Sequence, residues 1–84
     1  MFYEWTLFVS LASGQIFYTK IGDVTEYRGC AKKSELDTIE FPIEVVGLIA
    51  PASRTDKIKA FLGMDHKRCI SVRGMDSEDQ NAKD

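Results

Sequence analysis

The sequence predicts an α+β fold: a small twisted antiparallel sheet of four to five strands, packed by one short C-terminal helix. Three observations predict it. Tyr3, Trp5, Leu7, Val9 and Leu11 alternate with Phe2, Glu4, Thr6, Phe8 and Ser10, the period of a strand. Ser13-Gly14 then separates that run from a second stretch rich in β-formers, Gln15 to Ile21, as a tight hairpin turn would. Further on, Ile58, Phe61 and Leu62 recur at i, i+3 and i+4 ahead of Gly63, which marks an amphipathic helix with a glycine stop.

At 84 residues and 44% apolar, the chain holds one small domain. A domain of this size buries only about 60% of its unfolded surface, so most of its aromatic residues are needed in one core. That leaves little room for an enclosed active site. The net charge of −2 excludes a surface that is basic throughout.

The elements follow in order. A Ser13-Gly14 turn pairs Ala12 with Gln15 and sets Leu11 opposite Ile16, Val9 opposite Tyr18 and Leu7 opposite Lys20. This register predicts a core face of Trp5, Leu7, Val9, Leu11, Ile16 and Tyr18. The other face carries Phe8, Phe17 and Ile21, too apolar to be fully solvated, and the Ile58–Phe61–Leu62 stripe is the predicted cover.

Residues 23–33 read two ways. Asp23-Val24-Thr25-Glu26 has the form of a capping box, but Gly29 disfavours a helix interior, and Val, Thr, Tyr and Cys favour a strand, which is the preferred reading. Lys32 to Glu35 reads as a polar turn. Thr38 to Phe41 alternates as a strand, and Pro42 belongs at an edge or turn because it has no amide hydrogen. Val45 to Ile49 is a continuous apolar run, the pattern of a central strand buried on both faces. The helix starts near Ser53 or Thr55, with Asp56 at the positive end of its dipole. Cys69 to Arg73 is the last strand.

Residues 1–74 form the predicted domain. Residues 75–84 are acidic and almost without large apolar side chains, and read as a disordered tail. In architecture alone, such strands could also curl into a partly open barrel of the SH3-like type.

No G-x-S-x-G elbow or phosphate-binding glycine loop occurs, and no set of catalytic roles can be filled, so no enzyme activity and no cofactor are expected. Asp65-His66-Lys67-Arg68-Cys69 is the one cluster with metal or nucleophile potential, with Cys30 as a further ligand. One His and two Cys fall short of a four-ligand zinc site, so no metal is expected. Cys30 and Cys69 are expected as free, buried thiols.

Charge is distributed unevenly. Residues 1–50 hold four Lys/Arg against seven Asp/Glu, 51–74 hold six against two, and 75–84 hold one against four. Arg54, Lys57, Lys59, Lys67, Arg68 and Arg73 are therefore candidate contacts for phosphates or for an acidic partner surface. Tyr3, Trp5, Phe8, Phe17 and Tyr18 could stack on bases, although core packing is the simpler use for them.

These readings predict a non-catalytic protein-interaction module, a regulator or inhibitor that binds through a sheet edge, an aromatic patch around Phe8 and Phe17, or the basic helix. The alternative is a nucleic-acid-binding domain using segment 51–74, and a third reading is a thiol or metal site. No apolar run reaches the roughly 18 residues of a membrane span and no basic leader precedes the first strand, so a cytoplasmic protein with no membrane contact is expected. It would be a monomer or a homodimer, since an open edge can pair with a second copy.

Overall fold

Among the described residues five strands and two helices follow one another as β1 Thr6–Leu11, β2 Gly14–Ile21, β3 Val24–Lys32, α1 Lys33–Leu36, β4 Val46–Pro51, α2 Arg54–Phe61 and β5 Lys67–Met75. The structure is a computed structural model and describes residues 4–75. All five strands form one antiparallel sheet in the order β1-β2-β3-β5-β4. It is not closed, with β1 at one edge and β4 at the other, so the structure shows an antiparallel sheet and not a barrel. The predicted acidic tail from residue 76 onward lies outside the described residues, while Met75 closes β5.

Residues 24–32 are a strand, as their β-branched and aromatic content favours. They pair over nine positions with β5, from Val24 opposite Met75 to Lys32 opposite Lys67. This long ladder makes β5 a central strand, and it displaces Val45–Ile49 from the predicted centre. The run does form β4, but at the edge, with Val46 74%, Leu48 67% and Ile49 51% exposed.

The first hairpin differs from its predicted register. Leu11 stands opposite Gly14 and Val9 opposite Ile16, and a bulge between Leu7 and Val9 then sets Leu7 opposite Phe17. An extra residue at a bulge reverses the alternation beyond it. Phe8 therefore joins Val9 on the core face, and Leu7 moves to the opposite face with Phe17. The gain is aromatic packing: Phe8 stacks on Phe41 with ring centres 5.7 Å apart and meets Tyr27 edge-on at 4.9 Å.

Ile16, Tyr27, Ile70 and Val72 are the buried centre of the core, one from each of β2 and β3 and two from β5. Its cover is Leu36 of α1 and the chain that follows, through Ile39, Phe41, Ile43 and Val45. The predicted strand at 38–41 is irregular chain in this covering layer. The protein measures 44 × 33 × 20 Å, and its thin dimension matches a sheet with one layer on it.

Helix α2 begins where predicted, with Ser53 as its cap accepting from the Asp56 amide. It ends at Gly63, whose φ of 77° is the left-handed turn that favours glycine. Its role is not the predicted one. Asp56 accepts from the Lys67 amide at 3.0 Å, which ties the helix to the start of β5, and none of its residues is buried. Ile58, Phe61 and Leu62 are 56%, 87% and 63% exposed, so this stripe does not cover Phe17 or Ile21.

Three carboxylates fasten the turns. Glu35 accepts from both the amide and the hydroxyl of Ser13, holding the first hairpin turn against α1. Asp65 accepts from the amide and hydroxyl of Ser34, at 3.0 and 2.7 Å. Asp56 accepts from the Ser53 hydroxyl at 2.6 Å as well as from Lys67. The serine hydroxyl is the main cause that lowers each carboxyl below its ordinary value, with the backbone amide second.

Candidate functional site

Cys30 and Cys69 stand opposite each other on β3 and β5 and form a disulfide, contrary to the expectation of free thiols. The two residues are 39 apart in sequence and only the strand pairing brings them together, which a local reading cannot anticipate. The bond removes both sulfurs from the thiol or metal reading. His66 is buried with Nδ1 2.9 Å from the Met64 carbonyl oxygen, and Asp65 is engaged with Ser34. Among the described residues no group of three or more His, Cys, Asp or Glu is arranged to hold a metal.

The six candidate cations do not all share one face of the sheet. Arg54, Lys57 and Lys59 ride on α2, while Lys67 and Arg73 alternate with Arg68 along β5 and so point to opposite faces of the sheet. Glu26 lies 3.8 Å from Arg73 and 3.8 Å from Arg28, which offsets positive charge on the face away from the core. Arg68 is on the core face, with Nε buried and without a protein hydrogen-bond partner among the described residues.

The aromatic candidates also divide. Phe8 and Tyr18 are half-buried and pack against the core cluster. Phe17 is half-buried on the opposite face and borders a shallow hollow with Trp5 and Arg28, whose guanidinium carbon lies 5.2 Å from the Trp5 ring centre. Tyr3 lies outside the described residues.

A different surface emerges at β4. The Ala52 amide donates to the Lys67 carbonyl, and antiparallel alternation from that pair turns the backbone groups of Ala50, Leu48 and Val46 inward to β5. The amides and carbonyls of Gly47 and Ile49 consequently point outward, where no further strand lies among the described residues. The two edges are not alike. The β1 edge carries a bulge, a feature that discourages strand addition, whereas the β4 ladder runs without a register shift.

Gly47 is what lets β4 lie so close. Its φ is 156°, and a Cβ there would collide with the Ser71 carbonyl oxygen. Beside this edge on the core face is an apolar groove of about 380 Å³ whose walls include Leu36, Ile39, Phe41, Val45, Ile49 and Ile70. On the other face Val46 and Leu48 project into solvent. Sequence reading missed these residues because an apolar run of strand length looks alike at a centre and at an edge. Pro51 was the available signal, since a strand that ends in a residue without an amide hydrogen suits an edge.

No protein-family model, curated protein or solved structure matches the chain. Among the described residues no helix is long and apolar enough to cross a membrane.

Proposed function

We propose that this chain is a non-catalytic protein-interaction module that docks a partner strand along β4. The observation that carries this reading is the unbulged outer edge of β4, where Val46, Leu48 and Ile49 are each more than half exposed. An added strand would bond to the outward groups of Gly47 and Ile49 and place alternate side chains over the apolar groove and beside Leu48. Exposed Phe61 at the end of α2 and Leu62 just after it supply a second apolar surface for the same kind of partner. The nucleic-acid reading has less support, because Arg68 lies on the core face, apart from Lys67 and Arg73, and Glu26 lies beside Arg73. A cross-strand disulfide suits an oxidising compartment, so the cysteine pair does not support the cytoplasmic expectation.

The test is a photo-crosslinking side chain placed in turn at Leu48, at Phe61 and, as a control, at exposed Gln15, with the full chain expressed in its source cell. Protein adducts from Leu48 that are absent from Gln15 support docking at β4. Adducts equally strong from Gln15, or nucleic-acid adducts alone, contradict it.

A further inference from the structure

We propose that the strand that docks on β4 is β4 of a second copy of this chain, so that two five-stranded sheets join into one across a two-fold axis at Leu48. The proposal rests on the reading of β4 as a docking edge and names its occupant.

Self-pairing is tightly constrained by the backbone. Only residues whose groups point outward can exchange bonds, so Gly47 and Ile49 must face each other or themselves. Pro51 can donate nothing, which disfavours any register that sets it opposite Gly47. With Gly47 opposite Ile49 of the second copy, both outward amides and both outward carbonyls of each chain are used, roughly four hydrogen bonds in all.

The side chains fit this register. Ile49 meets a glycine, where the missing Cβ leaves it space. Leu48 meets its own copy at a close, non-hydrogen-bonded position on the other face, with Val46 opposite Ala50 on either side. These are the side chains whose exposure is otherwise unexplained.

Charge complements the register as well. Acidic residues, Glu40 and Glu44, precede β4, and basic Arg54 and Lys57 follow it. The strand path extends beyond its own limit at one end, where Gly74 of β5 leaves room for the Glu44 carbonyl; at the other the chain bends at Ala52 and Ser53 and turns into α2. Antiparallel pairing about Leu48 brings Glu44 opposite Ala52, two residues from Arg54 of the second copy, and does so twice. Parallel pairing would align acid with acid and base with base.

Sedimentation of the full chain over a range of concentrations tests this. The expected result is a reversible rise from 9.5 kDa to twice that mass. Leu48→Lys, which places two ammonium groups at the axis, should return the chain to monomer with an unchanged circular dichroism spectrum. Glu44→Lys and Arg54→Glu should each weaken the dimer several-fold, and the double exchange should restore it. A chain that stays monomeric throughout, a dimer indifferent to Leu48→Lys, or a double exchange that fails to restore association overturns the proposal. If the chain is monomeric and the Leu48 crosslinker still captures a different protein, the docking edge stands and only the second copy is excluded. If neither dimer nor crosslink forms, both fail.

Discussion

Cys30 and Cys69 face each other across β3 and β5 at the centre of the sheet and close a covalent loop around α1, the covering segment, β4 and α2. The layer over the core has little regular structure, so the bond limits how far this long connection can spread in the unfolded chain. Replacing both cysteines with alanine should cost about 2–4 kcal/mol. Denaturant unfolding of the variant beside the oxidised protein checks this, and equal midpoints would show that the ladder alone holds β5 in place.

Acid should loosen the turns before it affects the sheet. Glu35, Asp56 and Asp65 sit below their ordinary values of 4.5, 3.8 and 3.8 because serine groups donate to their ionised forms. A carboxyl lowered by folding contributes stability that is fully present above its unfolded value and is lost as pH falls through the folded one. Stability should therefore be level above about pH 5 and decline below about pH 4. In Ser13→Ala combined with Ser34→Ala and Ser53→Ala, that acid decline should flatten.

Phe8 and Phe61 should behave in opposite ways. Phe8 packs among Phe41, Tyr27 and Tyr18, so Phe8→Ala should cost about 3–5 kcal/mol. Phe61 is 87% exposed, and Phe61→Ala should change stability by less than about 0.5 kcal/mol. Thermal unfolding of both variants checks the bulge directly, because the regular register would put Phe8 on the open face.

Much of the architecture was legible in local patterns. Alternation found the first hairpin, β-branched and aromatic content favoured a strand over a helix at 24–32, and Ser53, Asp56 and Gly63 marked both ends of α2. What escaped depends on contacts between distant residues. The alternation from Tyr3 to Leu11 runs unbroken through the bulge, and only the presence of Phe41 and Tyr27 on one side explains why Phe8 turns inward. Similarly, Val45–Ile49 carries no mark of position until the nine-residue ladder of β3 and β5 is known. The cation cluster of the sequence is divided along β5, since alternation sends Arg68 to one face and Lys67 and Arg73 to the other.

Gly47 should be the most sensitive position on the edge. Gly47→Val would force β4 away from Ser71 and should destabilise the fold by about 1–3 kcal/mol while abolishing docking. Leu48→Lys, at a 67% exposed position, should abolish docking with little change in stability. Unfolding and crosslinking measured on the two variants together separate a damaged sheet from a blocked edge.

Whether the outer side of β4 is open for a strand can be read residue by residue by amide hydrogen exchange. In the dilute monomer the Gly47 and Ile49 amides should exchange quickly while those of Leu48 and Ala50, bonded to β5, exchange slowly; concentrating the protein should slow Gly47 and Ile49 toward the same rate. Gly47 and Ile49 amides as slow as Leu48 in the dilute monomer would mean that the chain already covers its own edge and that no strand docks there.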